Sequence, residues 1–94
     1  MKHVGAVTLA QLAPLLERVR GLGRLTERKP GTFYLRSSAF LHFHEDPRGL
    51  FADVKLDGTS FTRLPVSSPA EQDALLDLAA ASLARAMPYR WGSE

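Results

Sequence analysis

Ala39-Phe40-Leu41-His42-Phe43-His44-Glu45, then Asp46-Pro47-Arg48-Gly49, then Leu50-Phe51-Ala52-Asp53-Val54-Lys55-Leu56: residues 39–56 read as two β-strands joined by a tight turn. Pro47 and Gly49 stand where such a turn favours them. Leu41 and Phe43 alternate with His42 and His44, while Ala52, Val54 and Leu56 alternate with Phe51, Asp53 and Lys55. Strand side chains repeat with period 2, so a one-residue slip would set apolar residues against charged ones along the whole hairpin. The consistent register pairs Leu41 with Val54, His42 with Asp53, Phe43 with Ala52 and His44 with Phe51. It makes Leu41, Phe43, Ala52, Val54 and Leu56 a core face. Phe40, His42, His44, Phe51, Asp53 and Lys55 form the other face.

Outward from this hairpin, Pro30-Gly31 marks a turn, and residues 32–36 form a preceding strand rich in β-formers. The Ser37-Ser38 turn permits two registers, which place Phe33 and Leu35 on opposite faces. Asp57-Gly58 is a two-residue hairpin signal leading into a strand over 59–64, which Pro65 ends. Residues 24–31 are basic and read as a connection.

Helices are expected at both ends. Thr8 reads as an N-cap with Gln11 completing a capping box, and Leu9, Leu12, Leu15, Leu16 and Val19 recur at helical spacing. Pro14 kinks this helix or opens it, and Gly21 and Gly23 stop it. At the other end Ser68 is an N-cap, Pro69 takes the first helical position and Glu71 completes a capping box. Leu75, Leu76, Ala79, Leu83, Ala86 and Met87 make the buried stripe, and Pro88 ends it. Tyr89 and Trp91 are expected to fold back on the core edge or to meet a partner. The order predicts one α+β domain over 1–94: an N-terminal helix, an antiparallel sheet of three to four strands, and a C-terminal helix packed on one face.

Composition narrows the function classes. The 94 residues include no cysteine, which excludes disulfides, thiolate zinc sites and a cysteine nucleophile. No run approaches the roughly 20 apolar residues of a membrane span. No signal start is evident, so a cytoplasmic protein without a membrane partner is expected. The net charge of +2 divides into +5 over residues 1–44 and −3 over residues 45–94.

Three functional readings follow. Two histidines at i, i+2 on a strand have Cα atoms about 6.5–7 Å apart on one side. A paired Asp53 completes a two-imidazole, one-carboxylate set suited to zinc or ferrous iron, or a small-molecule pocket with His42 or His44 as polar anchor. The second reading takes His42 and Asp53 as a cross-strand pair on a contact surface. Phe40, Phe51 and Leu64, with no helix left to cover them, would then be the interface of a homodimer or a contact with another protein. The third takes Arg18, Arg20, Arg24, Arg28 and Lys29 as a phosphate-contacting patch for weak nucleic-acid binding. No nucleophile with a base and no Gly-rich phosphate loop is present, so enzymatic activity is not expected.

The run Pro30-Gly31-Thr32-Phe33-Tyr34-Leu35-Arg36, continuing through 39–44 and 49–56, resembles small uncharacterised bacterial proteins. More distantly it is similar to YjbR/MmcQ-like and TfoX N-terminal domains, over about residues 28–64. The resemblance implies a curved antiparallel sheet and a non-enzymatic role, with DNA or protein binding in some relatives. His42 and His44 are not part of that pattern, so it implies no site residue. The leading expectation is a non-enzymatic interaction module that forms a homodimer.

Overall fold

A computed structural model describes residues 2–86, with side chains from residue 4 onward. Met87, Pro88, Tyr89 and Trp91 lie outside the described residues. The order is β1 (Lys2–His3), α1 (Ala6–Gln11), α2 (Ala13–Arg20), β2 (Leu25–Lys29), β3 (Thr32–Leu35), β4 (Ser38–Asp46), β5 (Gly49–Val54), β6 (Thr62–Pro65) and α3 (Pro69–Ala86). The main path of the antiparallel sheet is β2-β3-β4-β5-β6, and β1 pairs with β4 beside it. The α+β class stands, with more strands than the three to four expected.

The central hairpin has the register that its alternation dictates. Leu41 pairs with Val54, His42 with Asp53, Phe43 with Ala52 and His44 with Phe51, and Asp46 and Gly49 close the turn. Asp46 caps that turn, its Oδ1 accepting the Arg48 amide at 2.8 Å. Gly49, at φ 138°, lies so close to the β6–α3 connection that a Cβ would meet Ser67 Oγ at 2.6 Å.

The core fills the side of the sheet that faces the helices. Leu12 from the α1–α2 junction and Leu15, Leu16 and Val19 from α2 join Phe33, Leu41, Phe43, Ala52 and Val54 from the sheet, and Leu75, Leu76, Ala79 and Leu83 from α3. Phe33 is buried and Leu35 packs against this cluster, which settles the ambiguous register of β3. The turn there is Arg36-Ser37, with Leu35 paired to Ser38.

At α3 the expected capping box is complete. The Glu71 amide donates to Ser68 Oγ at 3.2 Å, and the Ser68 amide donates to Glu71 Oε1 at 3.0 Å. The stripe also includes Ser82, whose hydroxyl donates to the Leu56 carbonyl at 2.9 Å.

Four expectations are corrected. Thr8 is not an N-cap: it is buried inside α1, whose N-cap is Gly5. The Gly5 amide donates instead to Glu45 Oε2 at 2.7 Å, a bond from β4 that replaces a local cap. The chain then breaks at Leu12 and restarts, with Pro14 in the first turn of α2. Residues 24–31 are not a connection, because Leu25–Lys29 forms the edge strand β2, paired Leu25 to Leu35 and Thr26 to Tyr34.

The third correction concerns Phe40. Phe33 pairs with Leu41 but Tyr34 pairs with Ala39, so Phe40 is the extra residue of a β-bulge. The bulge breaks the alternation and turns Phe40 into the core, where it is 3% exposed. The fourth concerns the Asp57-Gly58 hairpin. Val54 pairs with Thr62 and Ala52 with Leu64, so residues 55–61 form the loop. Asp57 organises it by accepting the Thr59 and Ser60 amides at 2.8 and 2.9 Å. A two-residue loop would pair Leu64 with Phe51. The observed register is one residue away, which moves Leu64 to the core side.

Candidate functional site

The face of the sheet away from the helices carries the polar cluster. His42 and His44 project from β4, and Asp53 stands across from His42 on β5. The register of β6 then sets Arg63 directly opposite Asp53 on the other flank. A carboxylate at the centre of three strands is thus bracketed by imidazoles on one side and a guanidinium on the other.

Arg63 grips Asp53 with two parallel bonds, Nε to Oδ1 at 2.7 Å and Nη2 to Oδ2 at 2.8 Å. Such a fork matches a carboxylate in both geometry and charge. His44, not its paired neighbour His42, makes the close imidazole approach, with Nε2 2.9 Å from Asp53 Oδ2. The side chains of His44 and Asp53 are only 13% and 10% exposed, so this charge cluster is largely shielded from water. Arg63 holds the Asp53 carboxyl below the usual carboxylate range; burial opposes this, and His44 and His42 reinforce it. Asp53 is therefore ionised at neutral pH.

The shield is aromatic. The rings of His42 and His44 meet edge to face at 4.9 Å, and Phe61 meets His42 at 4.9 Å in the same manner. Phe61 is 42% exposed, and Lys55 Nζ lies 5.1 Å from its ring centre. Phe51 is partly buried, with the Arg48 guanidinium 5.7 Å from its ring centre. On the remaining flank of β4, β1 sets His3 opposite His44.

The ligand atoms of His42, His44 and Asp53 lie within 4.8 Å of one another. A tetrahedral ion with bonds of about 2.1 Å needs ligand atoms roughly 3.4 Å apart. Closing the set from its widest spacing therefore takes shifts of about 1 Å. A carboxylate offers about four acceptor sites; Arg63 takes two, and an ion would take the place of the direct His44 approach.

The other residues singled out from sequence fare differently. Of the three expected at an interface, Phe51 is on the outer face, while Phe40 and Leu64 belong to the helix-covered side. The five basic residues are all exposed, and four of them are engaged with neighbouring groups. Arg18 pairs with Asp73 at 2.9 Å, and Arg20 pairs with both Glu17 and Glu27, at 2.8 and 2.6 Å. Arg24 donates to the Leu83 carbonyl at 2.7 Å, and Arg28 lies over the Tyr34 ring at 4.2 Å. Lys29 sits exposed at the end of β2.

Arg63 and Phe61 are the site residues that the sequence reading missed. The signal for Arg63 is its opposite charge directly across from Asp53, legible only once β6 is in its true register. Among the described residues no helix is long and apolar enough to cross a membrane. Compared with protein-family models, with curated proteins and with solved structures, the chain matches none.

Proposed function

We propose that this domain is a binding module for a divalent transition-metal ion, held by His42, His44 and Asp53. The observation that supports the reading is the convergence of three ligand atoms within 4.8 Å on a shielded sheet face. Two imidazoles and a carboxylate suit zinc or ferrous iron and leave positions open for a further ligand. Arg63 is the outer partner that orients the carboxylate, the part a hydrogen-bonded neighbour plays around a ligating group.

The test is an NMR titration of the histidine ring signals with one equivalent of zinc. The rings of His42 and His44 shift together on zinc addition. His42→Ala, His44→Ala and Asp53→Asn each lower zinc affinity by at least about ten-fold, the least that losing even an outer partner costs. Unmoved rings remove the metal reading.

A second reading keeps the outer face as a contact surface for another copy of the chain or another protein. It is favoured by the half-exposed Phe61 against His42 and by the partly buried Phe51 paired with His44, both at a shielded polar cluster. Sedimentation at high micromolar concentration tests it: a monomer there removes self-association.

A further inference from the structure

A cavity of about 690 Å³ opens at the other end of the sheet, where the last turn of α3 crosses two loops. Its walls are the β3–β4 turn, the chain leaving β5 and the C-terminal end of α3. The volume falls within the roughly 300–1,000 Å³ of small-molecule sites. The floor is apolar, made by Leu35, Ala39, Phe40 and Leu56, with Ala86 at the edge.

The rim is cationic. Arg36, Lys55 and Arg85 line it against one acid, Asp57. Lys55 is braced by Ser38, its Nζ donating to Ser38 Oγ at 3.0 Å, and Arg85 by the Leu56 carbonyl at 3.3 Å. Arg36 forms no hydrogen bond or ion pair among the described residues, and it is held at φ 60°. A residue other than glycine in that region is strained, and such strain gathers at ligand sites.

We propose that this cavity binds a small amphipathic anion, with an apolar body on the Phe40 floor and one carboxylate or phosphate among Arg36, Lys55 and Arg85. Apolar area supplies affinity, and the three cations select an anion over a neutral ligand of equal size. The cavity shares no lining residue with His42, His44 and Asp53, and its test does not depend on metal.

Backbone amide shifts of the full chain are followed while sodium decanoate or its uncharged counterpart 1-decanol is added, without metal. Decanoate shifts the amides of residues 35–39, 55–58 and 82–86 at micromolar to millimolar concentration, and 1-decanol binds more weakly. Inorganic phosphate alone, without the apolar body, leaves those amides unmoved. Arg36→Gly and Arg85→Gln each weaken decanoate binding by about two- to five-fold, the range of an exposed ion pair. Arg36→Gly relieves backbone strain as it removes the charge, so weaker binding by that variant does not reflect misfolding. Absence of shifts in these segments, equal binding of 1-decanol, or decanoate binding indifferent to both variants overturns the proposal.

Discussion

Arg24 and Arg36 are the residues other than glycine held at positive φ among those described, at 67° and 60°. The left-handed region costs an L-residue roughly 1–2 kcal/mol, and glycine forfeits about 0.4–1 kcal/mol through the unfolded chain. Arg36 offers no hydrogen bond in return, so Arg36→Gly is expected to raise stability by about 0.5–1 kcal/mol. Arg24 donates to the Leu83 carbonyl at 2.7 Å and ties the α2–β2 connection to α3. A charged hydrogen bond is worth about 1.5–3 kcal/mol, more than the relieved strain, so Arg24→Gly is expected to destabilise by about 1 kcal/mol. Urea unfolding of the two variants reads the contrast directly. Equal shifts would mean that the Arg24 bond contributes nothing.

The decisive element is β4, because it does two things along its nine residues. Its second half runs in strict alternation with β5 and presents His42 and His44 outward. Its first half carries the bulge that sends Phe40 inward beside Leu41. The bulge therefore separates an interface residue from a core residue, and the two roles predict different outcomes. A buried phenylalanine truncated to alanine costs about 3–5 kcal/mol, whereas an exposed one changes stability by less than about 0.5 kcal/mol. Phe40→Ala is expected to fall in the first class by thermal and urea unfolding. Its failure to destabilise would return Phe40 to the surface.

At the scale of the whole molecule, the basic and the acidic half of the chain meet in an ion pair. Arg18 of the basic half meets Asp73 of the acidic half, and Arg20 is held between Glu17 and Glu27. Several carboxyls are held in their charged form by such partners. Asp46 is lowered to about 2 by the Arg48 side chain, and Asp57 to about 2 by the Ser60 and Thr59 amides. Arg20 lowers Glu27 and Arg63 lowers Asp53. A carboxyl with a depressed folded pKa stabilises above its unfolded value, near about 4, and that contribution disappears as the folded group takes up its proton. Stability is therefore expected to fall steadily from about pH 4 to pH 2. Asp57→Asn keeps an acceptor for the loop amides but cannot titrate, so the fall should be shallower in this variant. Denaturant midpoints at pH 7, 4 and 2.5 make the comparison, and parallel profiles would detach Asp57 from acid stability.

Local patterns determined a great deal. The alternation of 41–44 against 51–56 specified the β4–β5 register, and with it the meeting of His42, His44 and Asp53 on one face. The Ser68, Pro69 and Glu71 cluster specified the start of α3. Each of these is legible because its cause lies within a few residues: period-2 side chains, a tight turn, a reciprocal cap. Tertiary pairing decided the rest. Residues 25–29 lack strong strand alternation and become β2 by pairing with β3. The seven-residue loop over 55–61 offsets β6 by one residue from a tight hairpin, which buries Leu64 and brings Arg63 to Asp53. A bulge has no signature in the alternation that it interrupts, so Phe40 read as an outer residue until β3 was in place. Register across a longer loop, and the face of a bulged residue, depend on contacts between segments far apart in the chain. That is why the histidines were visible from the sequence, while the arginine that completes their site emerged only from the folded sheet.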